Sequence, residues 1–371
     1  MTHSMLAPTS LADGHGPQWA AAVADLVDRA GAAFDPAVQG CLTVMDLEPW
    51  RRADAWWLRN RLEPLAHAKV SQRAVRYVPC VGPGPKPAEA QAQALADAWS
   101  AGAPPVTLDW PAHKAAPHCA HSGHAWVPDG PVLILAGELA QRLPQDLMLA
   151  HHGEIKLWAG EPGAQAWQAV DATRHSPWVT QSVLGYAQGL PSAMFSLPLG
   201  YWRFLEKAVA WAAHGVLVLS RAPGWSSLAD FREDAATRAD VSAEIPPVNF
   251  HWLAQQAPRL GASAHAVHAG RSDAVQLLGA GLDSGNNMLA LLTDPLRSAL
   301  QSSRADRARA VRTLANQGDL SAALAVLESS GHDPALLRAA WDALAHSAVI
   351  ASPALSAQLG AWLDRVTANT P

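Results

Sequence analysis

The chain switches its hydrophobic period repeatedly, and no other feature restricts its fold so strongly. The segments CLTVMDL (41 to 47), VRYVPCV (75 to 81), PVTL (105 to 108), PVLILA (131 to 136), GVLVLS (215 to 220) and ASAHAVHA (262 to 269) have the short apolar character of buried strands. Between them, residues 17 to 30, 50 to 68, 87 to 100, 201 to 213 and 250 to 260 place apolar side chains at helical spacing. Alternation of this kind predicts an α/β fold: a doubly wound, mostly parallel sheet with helices on both faces.

Three segments depart from the alternation. VGPGPKP (81 to 87) reads as a stiff surface loop between a strand and a helix. LMLAHHGEIKLWAGEPGAQAWQAV (147 to 170) has a turn at His152-Gly153 between alternating residues, and predicts an antiparallel hairpin inserted into the parallel sheet. Strand signals stop near Leu296, and the following stretch reads as four short amphipathic helices separated by Gln-Gly-Asp, Ser-Gly-His-Asp-Pro and Ala-Ser-Pro. Within it, NQGDLSAALAVLESSG looks like half of a tetratricopeptide-type hairpin. The expected division is an α/β domain over 1–297 and an all-helical extension over 298–371.

With 371 residues, 49% of them apolar and 16% charged, the chain has a globular composition. The formal net charge is −5, and Lys and Arg are scattered rather than gathered into a stripe, so nucleic acid is not the expected partner. The opening MTHSMLAPTSLADG has no signal-peptide pattern, and no apolar run approaches the ~18 residues of a membrane span. A cytoplasmic location is expected. Cys41, Cys80 and Cys119, odd in number and widely spaced, read as reduced thiols. Several of the 16 tryptophans fall on predicted helices, where packing on the sheet is their expected use.

Doubly wound sheets bind ligands at the carboxyl ends of their strands, so acids ending buried strands are the candidates. Asp46 ends CLTVMD, Asp109 ends VTLD, and Glu138 follows VLILAG. An acid ending the second strand of a nucleotide-binding sheet can accept both ribose hydroxyls of an adenosyl group, a role open to Asp46. Asp46 would equally serve as a cap for the helix beginning near Pro49. Gly14 and Gly16 precede a helix that begins near Pro17, where glycine lets the backbone approach a ligand. The cluster His118, Cys119, His121 and His124 has zinc-binding chemistry, but its spacing matches no closed site, so a solvated loop is expected and no metal. The nucleophile-elbow, P-loop and zincin motifs are absent from the sequence.

Several segments, in order, resemble the MidA family of S-adenosylmethionine-dependent methyltransferases, relatives of the mitochondrial complex I assembly factor that methylates a protein arginine. TVMDLEPWRRADAWWLRNRLEPLA resembles the family's second strand and following helix, and TLDWPAHKAAP a segment before its central strand. GPVLILAGELAQRLPQDLMLAHHGEIKLW resembles its Ala-Asn-Glu-x-x-Asp-Ala-Leu-Pro signature and hairpin. PPVNFHWLAQQAPRLGASAHAVHAGRSDAVQLLGAGL resembles its closing helix, strand and helix.

The resemblance implies a class I methyltransferase sheet and an S-adenosylmethionine cofactor. It implies Asp46 as the ribose acid, Gly14 and Gly16 as the remnant of the glycine loop, and Glu138 as the signature glutamate, with the chemistry to orient a substrate guanidinium; Asp109, as another acid ending a strand, is expected beside the cofactor. Gly137 and Gln141 stand where the signature has Asn and Asp, and the acidic turn and long insertion that the family carries after the GVLVLS strand are missing. Three functions follow as expectations. The first is a methyltransferase acting on a protein side chain, arginine by resemblance. The second is a catalytically silent fold serving as a protein-binding or assembly module, docking through its C-terminal helices. The third is a small-molecule methyltransferase with an opened cleft.

Overall fold

The structure, a computed structural model, describes residues 16–47, 74–83, 108–120, 122–151, 154–158, 167–169, 175–190, 193–235, 246–269, 273–282, 285–301, 304–329 and 334–350, with 353–354, 357, 359–361 and 363 beyond them. In chain order its elements are α1 (Gly16–Ala33), β1 (Leu42–Leu47), β2 (Val75–Val81), β3 (Leu108–Asp109), β4 (His118–Cys119), β5 (Val132–Gly137) and α2 (Leu139–Arg142). There follow β6 (Asp146–His151), β7 (Glu154–Trp158), β8 (Trp167–Ala169), α3 (Pro177–Gln188), β9 (Ala193–Leu197), α4 (Leu199–Trp211), β10 (Val216–Trp225) and α5 (Leu228–Ala235). Next are β11 (Val248–Asn249), α6 (Phe250–Gln256) with a 3-10 turn to Leu260, β12 (Ala262–Ala269) and β13 (Asp273–Ala280). Four helices come after them: α7 (Gly285–Gln301), α8 (Arg304–Asn316), α9 (Leu320–Ser329) and α10 (Pro334–Ile350).

β1 lies inside the main sheet, paired in parallel with β2 on one side and β5 on the other. The strand order is β12-β13-β10-β5-β1-β2-β3-β4, with β11 beside the end of β10. β4, β12 and β13 run antiparallel to their neighbours, and the remaining pairings are parallel, which is the doubly wound α/β sheet expected from the alternation. Alternation along β1 sends Leu42 and Val44 to one face and Met45 and Leu47 to the other. The first face packs on α1, through Trp19, Val23, Leu26 and Val27, and on α7, through Leu289, Leu292 and Leu296. The second packs on α4, through Tyr201, Phe204, Leu205 and Ala208. A strand buried on both faces has no polar side to show, which is why these runs read as unbroken apolar segments.

Two expectations change. DAVQLLGA, read as part of a closing helix, is the strand β13, held antiparallel between β10 and β12. All seven residues from Ala274 to Ala280 are buried, so the run is apolar on every side and its period could not separate a buried helix from a buried strand. The predicted hairpin is real, but it is not inserted into the main sheet. β6 and β7 join β8 and β9 in a four-stranded antiparallel sheet of their own, ordered β8-β7-β6-β9. The helices expected over 50 to 68 and 87 to 100, the loop residues 84 to 87 and the segment MLAPTSL lie outside the described residues.

Among the described residues no helix is long and apolar enough to cross a membrane. The expected division at residue 298 falls inside α7, whose apolar side belongs to the sheet. α8, α9 and α10 share a separate apolar cluster that includes Val311, Leu320, Leu327, Leu336 and Leu344. The Gln-Gly-Asp signal works as its chemistry suggests: Gly318 takes a φ of 80°, and Asp319 Oδ1 accepts from the Ala322 N–H at 3.0 Å to start α9.

At the amino ends of β1 and β5 two backbones nearly touch. Gly40 has a φ of 97°, and a Cβ there would lie 2.0 Å from the Asp129 carbonyl oxygen. A Cβ on Gly130 would lie 2.5 Å from the carbonyl oxygen of Cys41. Left-handed backbone alone costs an alanine about 1 kcal/mol, and a clash with backbone adds more because no rotamer relieves it. Gly40→Ala is therefore expected to lower the unfolding free energy in urea by about 3 kcal/mol or more. Gly123→Ala, at a φ of 69° with open space around it, should cost only about 1 kcal/mol. Equal losses in the two variants would show that the close approach does not constrain the sheet.

Candidate functional site at the carboxyl ends of the strands

From β1 the chain winds outward to β2 and β3, then crosses back to add β5 and β10 on the other side. Such a reversal is where open α/β sheets form the crevice for their ligands, here between the carboxyl ends of β1 and β5. Asp46, Cys80, Asp109 and Gly137-Glu138 stand at or beside these strand ends, and Ser220 pairs with Gly137 across β10.

Asp46 does not end the second strand of the winding, as the sequence reading had it, but the one from which both halves of the sheet depart. It is fully buried, and its Oδ2 accepts a hydrogen bond from the Tyr77 hydroxyl at 2.6 Å. An ionised carboxylate removed from water needs such donors, since leaving it unpaired costs several kcal/mol. Across the sheet Asp46 pairs with Pro79, and the thiol of the next residue, Cys80, lies within range of its charge. Burial pushes that thiol well above its ordinary pKa, and the charges of Asp109 and Asp46 push it further. The fold thus brings Asp46 and Asp109 into electrostatic range of one buried thiol, an arrangement that keeps Cys80 protonated and unreactive.

The ribose acid of an adenosyl site belongs at the end of the next strand out, which here is β2. That strand closes with Cys80 and Val81 and runs into Gly82-Pro83, none of them an acid. The loop after β1, where a nucleotide-binding sheet brings its backbone against the ligand, is Glu48-Pro49-Trp50-Arg51-Arg52 in sequence and lies outside the described residues. No glycine occurs between Gly40 and Gly82. Gly14 lies outside the described residues, and Gly16 opens α1, the helix that precedes β1 rather than follows it. Among the described residues, the end of β2 therefore supplies no ribose acid for S-adenosylmethionine.

Glu138 stands apart from this buried pair. It occupies the position before α2, caps nothing with its side chain, and is 61% exposed, with Arg142 Nη1 at 3.7 Å. Burial pulls the Arg142 guanidinium down to about 10, still charged at neutral pH. Gly137 has a φ of 54°, in the left-handed region that glycine and asparagine tolerate best. Glycine in place of the signature asparagine preserves that backbone turn while removing the amide side chain. His118 and Cys119 form β4 and are half-buried, and His121 lies outside the described residues. Cys119 and His124 are joined through their backbones, Cys119 N–H to His124 O at 2.9 Å. Among the described residues no three His, Cys, Asp or Glu gather to hold a metal ion.

A second polar cluster, absent from the sequence reading, lies where β10 meets β11. The buried Tyr186 hydroxyl lies 3.1 Å from Asn249 Oδ1 and 3.0 Å from His251 Nδ1. Asn249 Oδ1 also accepts from the Trp252 N–H at 2.9 Å, capping α6, while its own N–H donates to Ser196 Oγ. Asp230 accepts from the Ser226 and Ser227 N–H groups at 2.6 and 3.0 Å. These residues come from α3, α5, β9, β11 and α6, so sequence spacing carried no sign of them.

No protein-family model and no curated protein matches the chain. Two solved structures from Burkholderia thailandensis match it in three dimensions. One is an uncharacterised protein, 13% identical with a TM-score of 0.50, matched over 74% of this chain and 82% of its own. The other, from the same superfamily, is a methyl transferase candidate bound to S-adenosyl-homocysteine. It is 12% identical with a TM-score of 0.50, matched over 74% of this chain and 79% of its own. Their superfamily corresponds to the MidA family. At these identities the likeness is one of fold, and the fold is of the S-adenosylmethionine-dependent methyltransferase kind.

Burial lowers the pKa of His251, and the nearby Asp230 charge only partly opposes the shift. The folded pKa thus lies below the unfolded value near ~6.5, so the unfolded chain binds the proton more readily. Its contribution to stability is complete above that pH and is lost as pH falls through the lowered folded value. Urea midpoints measured at about pH 7.5 and about pH 5.5 should fall less in His251→Gln than in the wild type. An unchanged difference would show that His251 is not the group responsible.

Proposed function

We propose that this chain is a catalytically silent module built on a methyltransferase fold, with its adenosyl site closed and its role one of protein binding or assembly. One observation carries the reading: at the crevice where the fold would hold the cofactor, the β1 carboxylate is buried under the Tyr77 hydroxyl and β2 ends without an acid. The glycine-free sequence from 41 to 81 supports it, since glycine is the residue that lets a backbone approach a nucleotide most closely. The helices α8 to α10, with an apolar cluster of their own and Trp341 40% exposed on α10, serve as the docking surface for a protein partner.

A second reading, an active protein-arginine methyltransferase, is favoured by the position of Glu138. Its carboxylate is accessible beside the crevice and has the chemistry to orient a guanidinium. Likeness to a structure bound to S-adenosyl-homocysteine supports the same reading.

Calorimetry of the full chain with S-adenosylmethionine and with S-adenosyl-homocysteine separates the two. The silent module gives no binding heat at millimolar ligand. Micromolar binding that Asp46→Ala abolishes would establish the second reading in its place. Affinity capture with the full chain and with a chain ending at residue 303 tests the docking surface. A partner recovered by the first should be lost from the second, and equal recovery would remove α8 to α10 from the interface.

A further inference from the structure

A groove runs along α4, between that helix and the loop that follows β3. It encloses about 600 Å3, within the ~300–1,000 Å3 of pockets that hold one small molecule. Its lining extends along α4 from Gly200 to Trp211, about 16 Å at the helical rise. Asp46, Glu138 and Ser220 are not among its lining residues, so the crevice at the strand ends and this groove are chemically separate.

Its apolar wall is aromatic and firmly held. Trp110 is 1% exposed, with its ring 5.1 Å from Phe204 and 5.2 Å from Trp211 in edge and tilted contacts. Trp211 Nε1 donates to the Trp126 carbonyl at 3.0 Å, which fixes the indole at the far end. Trp110 and Phe204 are buried and back the wall, and Trp211, half-buried, is the ring open to the groove, against which a flat guest can take up an offset or perpendicular geometry.

The charges on the helix are unequal in what they already do. The Lys207 ammonium donates to the Ala112 carbonyl and straps the loop to the helix. Glu206 accepts from Trp202 Nε1 at 2.8 Å. Arg203, on the same face, lines the groove and is exposed, and it makes no ion pair or hydrogen bond among the described residues. Among the described lining residues, two cations and one carboxylate leave a single positive charge, which suits a monoanion better than a phosphate. A guanidinium fork matches a carboxylate with two parallel N–H donors.

We infer that this groove binds a small aromatic monocarboxylate, its ring against Trp211, which Trp110 and Phe204 hold from behind, and its carboxylate on Arg203. The inference does not rest on whether the strand-end crevice holds a cofactor.

Calorimetry with 2-naphthoate and its neutral analogue 2-naphthamide tests both parts. The wild type should bind one 2-naphthoate per chain. Arg203→Gln should weaken that at least tenfold while leaving 2-naphthamide unchanged, because only the charge pairing is removed. Ala210→Trp, which fills the groove from the exposed side of α4, should abolish binding of both. Thermal melting of each variant confirms that it is folded. Absence of 2-naphthoate binding to the wild type, equal affinity in Arg203→Gln, or binding that survives Ala210→Trp in a folded protein would each overturn the inference.

Discussion

The parallel pairing of β1 with β5 is the constraint on which the rest of the molecule depends. It holds together two halves of a sheet that wind in opposite directions, and it requires the backbone before each strand to come within contact distance of the other at Gly40 and Gly130. With both faces of these strands covered, every side chain along them must find an apolar neighbour or a hydrogen-bond partner. α1 and α7 meet that demand on one face and α4 on the other. The crevice at the strand ends is a consequence of the winding, present whatever side chains occupy it.

Those side chains decide whether the crevice is a site. A carboxylate at the end of β1 is useful to a ligand only if the ligand can reach it. Asp46 is buried and held by a 2.6 Å bond from Tyr77, and displacing that hydroxyl would have to be repaid by the incoming group. The neighbouring strand ends in a buried thiol kept protonated by burial and by the two nearby carboxylates. Among the described residues, Glu138 is exposed on one side of the crevice, and the groove beside Arg203 lies on the flank of the sheet.

Much of the architecture was legible in the chain because burial on both faces leaves a simple mark. The runs 41 to 47, 75 to 81, 131 to 136 and 215 to 220 all become strands of the main sheet. β13 was missed because a run buried on all sides has no period to read. β9 was missed because Ala-Met-Phe-Ser-Leu is too short to signal a strand without its partner β6. The candidate glycines Gly14 and Gly16 stand before or at the start of α1, and so ahead of β1. Once β1 is the strand flanked by β2 and β5, the loop to inspect is the one after Asp46, and the missing glycines there were visible in the sequence throughout.

The sequence by itself determined the α/β class, the helical tail and the presence of an acid at each of three strand ends, because local period, capping chemistry and residue identity are properties of short segments. Only the tertiary structure decided the strand order, and with it which acid faces the crevice. Pairing between strands far apart in the chain leaves no local trace, and the exposure of Glu138, the burial of Asp46 and the gathering of Tyr186, Asn249 and His251 all follow from that pairing.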